Sequence, residues 1–226
     1  MAQSRHPFVA LKGVSKSWTA AKHRIPVLKN IDLEVWAGES VAVVGPSGAG
    51  KSTLLHVLAL FTPVDEGDIF YNGQRLDDRS RWDISLRRRI GVVFQDAKLL
   101  PNLRLIENVR VPLVHRGVWP SRQRQRATTA LEAVGLGDRL GHYPNQLSGG
   151  ELMRAAIARA LVSDPMLILA DEPTGTLDSV NGESVAQLLL NLVTPERALV
   201  IVTHHAPLAA RTGRTIALKD GCIVHG

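Results

Sequence analysis

Residues 45–53 read GPSGAGKST, a G-x-x-x-x-G-K-S-T spacing that follows the apolar run Val41, Ala42, Val43, Val44 and precedes Leu54 and Leu55. This is a loop built for a phosphate chain. Gly45, Gly48 and Gly50 let the backbone curl with its N–H groups inward, with Pro46, Ser47 and Ala49 between them. Lys51 can reach β- and γ-phosphates, and a helix starting at Ser52 and Thr53 adds its positive end. Further along, Asp171 and Glu172 follow four apolar residues; two adjacent acids near a core are costly unpaired, so a bound metal is a natural partner for the first. Gln95 and His204 each stand at the end of an apolar run, where α/β sheets usually contact ligands. Ser148, Gly149 and Gly150 open a helix, which makes a second anion site without a lysine, or simply a cap. Trp18 can stack on a base or pack at a sheet edge.

These residues need elements to hold them. Alternation predicts an antiparallel strand pair over residues 8–18 and 27–35, a buried strand over 40–44, and a helix from the loop to about residue 60. A strand over 68–71 enters an Asn72-Gly73 hairpin turn, and a short helix over 84–89 leads to a strand over 90–94. Residues 103–147 show helical periodicity, broken at Gly117, Pro120, Gly135 and Gly141, and no strand pattern. A helix from residue 149 to the Asp164-Pro165 stop, a strand over 166–170, a helix over 179–193, a strand over 199–202 and a hairpin over 215–224 with an Asp220-Gly221 turn complete the chain. The expected class is α/β, and a Rossmann reading fails because G-x-G-x-x-G is absent and Lys51 has no role in it.

Composition bounds the function. The 226 residues are 45% hydrophobic and 21% charged, ordinary for a folded domain. No apolar stretch approaches the roughly 20 residues of a membrane span, and residues 1–8 lack a signal-peptide core, so the chain is expected to be soluble and not exported. The lone Cys222 excludes an internal disulfide and suits a reducing compartment. A formal charge of +6 with Arg87, Arg88, Arg89 and Arg122, Arg124, Arg126 suits a solvated basic face, an anionic membrane leaflet or nucleic acid. Aromatic residues make up 4% and none interleave these runs as stacking platforms, so no nucleic acid is expected.

The loop at 45–53, Gln95, the LSGGE run at 147–151, Asp171-Glu172, Leu177-Asp178 and His204 stand in one order that resembles the ATP-binding subunit of ABC transporters from about residue 8 to 224. Residues 94–113, Glu151 in place of the commoner Gln, and LADEPTG at 169–175 resemble the branch with lipoprotein-release, macrolide-export and FtsE-type ATPases. The resemblance implies a phosphate-loop NTPase core with an antiparallel β subdomain (residues 1–102 and 148–226) and an inserted helical subdomain (about 103–147), all one domain. It implies ATP and Mg²⁺ as cofactors, with Ser52, Gln95 and Asp171 toward the metal, Glu172 activating water, Lys51 and His204 on phosphate, and Trp18 on adenine.

By the same resemblance, two copies form a homodimer with ATP at the interface, each loop facing the other copy's Ser148, Gly149 and Gly150, with Asp178 nearby. A separate transmembrane permease would dock in the groove near residues 95–111, placing the chain peripherally on the cytoplasmic face of the inner membrane. The work implied is export or extraction of a hydrophobic or amphipathic substrate; the rival is an FtsE-like ATPase that gates an extracytoplasmic enzyme. Thr176, His205 and Leu152-Met153 depart from common residues of the family. The last pair implies either a packing change or a particular membrane partner.

Overall fold

The computed structural model describes residues 6–20, 23–76, 84–114 and 116–224. Two long strands, β1 (Val9–Ala20) and β2 (His23–Val35), pair antiparallel, with Val9 opposite Val35 and Trp18 opposite Ile25. Strand β3 (Ser40–Val44) feeds the phosphate loop and helix α1 (Lys51–Leu58). Then β4 (Glu66–Tyr71) and β5 (Gln74–Arg75) form the hairpin expected from Asn72-Gly73, whose φ values are 48° and 75°. Helix α2 (Ile84–Arg87) precedes β6 (Ile90–Val93).

Helices α3 (Leu105–Val114), α4 (Pro120–Ala133) and α5 (Gly149–Leu161) fill the chain before β7 (Leu167–Asp171). Helix α6 (Ser179–Leu190), β8 (Ala198–Val202), a short α7 (Ala206–Ala209), β9 (Arg214–Lys219) and β10 (Cys222–Val224) complete it. Gly117 and Pro120, read as breaks in the helical periodicity, fall after α3 and at the start of α4. Pro120 is the first residue of α4, where its missing N–H would have had no helical partner.

The strands form two sheets. One is antiparallel, in the order β2-β1-β4-β5; the other runs β10-β9-β3-β8-β7-β6, with only β10 antiparallel to its neighbour. Strands β7 and β8 are buried on both faces, which is why they read as unbroken apolar runs. Leu167, Leu169, Val200 and Val202 face one core, shared with α1 and the antiparallel sheet. Ile168, Ala170, Leu199 and Ile201 face a second, shared with α3, α4, α5 and α6. Each fully buried aliphatic side chain contributes about 1.5–3 kcal/mol, so the central strands are held from both sides. Met153 is 2% exposed and Leu152 packs on the second core, so these two apolar residues are packing residues.

Candidate nucleotide site

The parallel strands bring their carboxyl ends to one edge. Adjacent strands β3, β8, β7 and β6 deliver, side by side, the phosphate loop, His204, Asp171-Glu172 and Gln95. A cavity of about 450 Å³ opens there, lined by Ser47, Gly48, Gly50, Lys51, Ser52, Thr53, Gln95, Glu172, His204 and, from β2, Val27. Val27 is a lining residue the sequence did not announce, because only the strand crossing places it there. Gly50 explains the closeness: its φ is 102°, and a Cβ would lie 2.8 Å from the Val27 carbonyl oxygen. A Cβ on Gly45 would lie 2.0 Å from the Leu218 carbonyl oxygen, so at these two glycines the loop is wedged against β2 and β9 with no room for a side chain.

Lys51 Nζ donates to the carbonyls of Gly45 (2.8 Å) and Pro46 (3.0 Å), which aims its charge back over the loop. Ser52 Oγ donates to Asp171 Oδ1 at 3.3 Å. Burial pushes the Asp171 carboxyl above its ordinary value; the Ser52 bond opposes this, the Glu172 charge adds to it, and His56 and Lys51 oppose it. Glu172 sits at φ 44°, a left-handed conformation rare outside glycine, and its N–H donates to the Val202 carbonyl at 2.9 Å. Glu172 Oε2 accepts from the His204 N–H at 3.2 Å and lies 2.9 Å from His204 Nδ1. A strained backbone, one hydrogen bond and the close His204 ring therefore hold this carboxylate at the cavity.

Trp18 is 43% exposed, and its Nε1–H points to Thr53 Oγ1 at 3.4 Å, at the outer end of the loop helix. Ser148 is the cap of α5: its Oγ accepts from the Glu151 N–H, and Glu151 Oε2 accepts from the Ser148 N–H (2.9 Å) and Oγ (2.8 Å). Those bonds hold the Glu151 carboxyl below its ordinary value, the backbone bond first. Gly150 is buried against α6, where a Cβ would lie 2.3 Å from Asn181 Oδ1.

Asp178 caps α6, accepting from the N–H groups of Val180 (3.1 Å) and Asn181 (2.9 Å) and from Asn181 Nδ2 (2.7 Å). Asn181 thus packs against Gly150 of one helix start and bonds Asp178 at the other, a place without a sequence signal beyond a polar residue in a first turn. Ser148, Gly149, Gly150 and Asp178 do not line the cavity at the loop. The structure brings Lys51, Ser52, Gln95, Glu172 and His204 together and leaves this second group apart.

A family model described as ABC transporter matches residues 28–175. The chain belongs to the ABC transporter family. As a member it carries an ABC-type ATPase domain that binds and hydrolyses ATP. It is 44% identical over 222 residues to the lipoprotein-releasing system ATP-binding protein LolD of Hyphomonas neptunium, covering 96% of this chain and 97% of that protein. It is 42% identical over 226 residues to the macrolide export ATP-binding/permease protein MacB 1/2 of Paracoccus denitrificans; that match covers 99% of this chain and spans about a third (34%) of the relative. Among solved structures, the dimeric post-hydrolysis state of the ATP-binding cassette MJ0796 bound to ADP and Pi is 39% identical with a TM-score of 0.86, covering 96% of this chain and 97% of that one.

The oxygens available for a metal are few. Among the described residues no group of three or more His, Cys, Asp or Glu could hold one. The Ser52 hydroxyl and Asp171 carboxylate, beside Gln95, nevertheless fit Mg²⁺, which takes one or two protein oxygens and completes its shell with substrate phosphates and water. In this ABC family member the basic runs also find places. Arg122, Arg124 and Arg126 are exposed along α4, while Arg87 and Arg88 line a groove beside β6. Among the described residues no helix is long and apolar enough to cross a membrane.

Proposed function

We propose that this chain is the ATP-hydrolysing subunit of an inner-membrane ABC transporter complex that drives export or extraction of a hydrophobic or amphipathic substrate such as a lipoprotein, peptide or drug. The observation that carries the reading is the convergence of Lys51, Gln95, Glu172 and His204 on one cavity at the ends of adjacent parallel strands. Phosphoryl transfer needs an oriented water, neutralised phosphate charge and little covalent help. Glu172, held by His204, accepts the proton of the attacking water. Gln95 orients that water, Lys51 turns to the β- and γ-phosphates, and His204 reaches the γ-phosphate. Mg²⁺, held by Ser52, Asp171 and Gln95, would neutralise charge on the phosphate oxygens. Trp18 stacks on the adenine, while residues 45–53 cradle the phosphates through their N–H groups.

The working unit is a homodimer with two ATP between the copies. Ser148, Gly149 and Gly150 form the start of a 13-residue helix that lies outside the cavity of its own loop, so the phosphate they serve is the other copy's. Solved relatives described as dimeric support this. Asp178, beside that helix start, belongs to the same interface. A groove of about 420 Å³ between β6, α3 and α5 receives a separate membrane permease, which places the chain peripherally on the cytoplasmic face of the inner membrane. The relative LolD is described as the ATP-binding protein of a lipoprotein-releasing system, which suits a subunit of a larger assembly.

The test is Glu172→Gln. Turnover should fall by at least about 100-fold, the usual contribution of a positioned base, with Mg-ATP binding retained in an equilibrium titration. Unchanged turnover would remove Glu172 from its role.

A further inference from the structure

The turn from α3 into α4 ends in the most exposed aromatic side chain among the described residues, Trp119, at 74%. Val114, which closes α3, is 55% exposed, and Pro120 is exposed beside the indole. The turn itself is anchored. Gln123, buried under it, donates from Nε2 to the Val118 carbonyl (2.6 Å), accepts at Oε1 from Arg110 (3.1 Å), and donates its N–H to the Trp119 carbonyl (2.9 Å). Trp119 is thus held outward on a fixed backbone, and among the described residues its ring meets no other ring or cation.

The charge around it is of one sign. Between Glu107 and Glu132 the chain has Arg110, Arg116, Arg122, Arg124 and Arg126 and no acidic residue. Arg110 and Arg116 turn to Gln123 and to the Ser163 and Arg88 carbonyls. Arg122, Arg124 and Arg126 are exposed and, among the described residues, make no ion pair or side-chain hydrogen bond. Gln123, Ala127 and Leu131 bury one side of α4. At about 100° per residue, Arg122 and Arg126 fall on one flank of the exposed side and Arg124 on the other. The first turn of α4 holds no acidic residue, so the positive end of the helix adds to these charges.

We propose that the start of α4 is a lipid-contact surface, in which Trp119 enters the headgroup layer of an anionic leaflet and Arg122, Arg124 and Arg126 bind the phosphates around it. Charge complementarity selects this occupant: a leaflet rich in anionic headgroups attracts basic segments, and tryptophan rings settle at that depth. A protein interface is built on a broader apolar core. Here the apolar surface is one indole, one valine and one proline, flanked by long side chains that can reach past it to phosphate. The contact needs no permease, so it stands or falls apart from the transporter reading.

The experiment is sedimentation of the full chain with vesicles of phosphatidylcholine, alone or with about one third phosphatidylglycerol, at moderate salt. The chain should bind the anionic vesicles at least about tenfold more tightly, and high salt should remove the difference. Replacing Arg122, Arg124 and Arg126 together by Gln should weaken binding by about 100-fold, whereas replacing all three by Lys should largely keep it, because the leaflet reads charge. Both triple variants should match the parent in melting temperature and ATP turnover in solution, since these side chains are exposed. Lipid brominated along its chains should quench part of the tryptophan fluorescence, and Trp119→Phe should remove that quenching.

Equal binding to both kinds of vesicle, or binding to neither, would overturn the proposal. So would anionic-vesicle binding unchanged in the triple Gln variant, which would move the contact to another basic surface. Quenching unchanged in Trp119→Phe would overturn the insertion of Trp119. Tighter binding of a single-stranded RNA oligomer than of anionic vesicles, lost in the triple Gln variant, would make the patch a nucleic-acid surface and overturn the lipid assignment.

Discussion

Trp18 offers its ring to solvent beside Thr53, with Lys16 Nζ 5.3 Å from the ring centroid. An aromatic pair adds about 0.5–1.5 kcal/mol beyond its buried area, so Trp18→Ala should weaken ATP binding about tenfold and Trp18→Tyr should largely keep it. A fluorescent-nucleotide titration reads both, and equal affinities would remove stacking from the role of Trp18. At this scale the sequence was most informative where a residue's chemistry and its neighbours along the chain determine its place. Lys51, Ser52 and Glu172 are of that kind, each beside an apolar run that ends at the sheet edge. Ser148 and Glu151 were legible only by half: an S-x-x-E spacing reads as a capping box, and the reciprocal bonds show that it is one. The bonds of Arg159 to the Ala97 and Lys98 carbonyls carry no sequence signal, because those partners lie 62 and 61 residues away in the chain.

Among elements, the β1–β2 hairpin is braced by one carboxylate. Asp65, in the turn after α1, accepts from Lys16 Nζ (2.9 Å), the Ser17 N–H (2.8 Å) and Arg24 (2.8 Å), and so clamps both strands next to Trp18. Burial pushes its pKa up, but the bonds from Lys16, Arg24 and Ser17 outweigh that and hold it at about 2, below the ordinary 3.8. The folded state therefore binds fewer protons than the unfolded one, and the stability from Asp65 is present above pH 4 and lost as pH falls toward 2. Asp65→Asn should cost about 1 kcal/mol at pH 7, seen as a lower melting temperature, with the gap to the parent closing between pH 4 and 2. A gap independent of pH would show that the charge contributes nothing. The hairpins at Asn72-Gly73 and Asp220-Gly221 were legible from their turn residues, whereas the position of β3 between β8 and β9 was not, since strand order is set by packing across the whole sheet.

For the whole molecule, the phosphate loop and the capped start of α5 bear on how many copies the proposed site needs. The loop at 45–53 and the capped start of α5 lie apart in one chain, so a single copy leaves each facing no partner. Two copies arranged head to tail would bring each loop to the other's Ser148, and ATP would complete the interface. Light scattering of Glu172→Gln protein, with and without saturating Mg-ATP, tests this most directly. The expected result is a shift from the 24.6 kDa of one chain to twice that mass with Mg-ATP, reversed when nucleotide is removed. A mass that stays at one chain with Mg-ATP bound, and also with the membrane subunit present, would contradict the shared site.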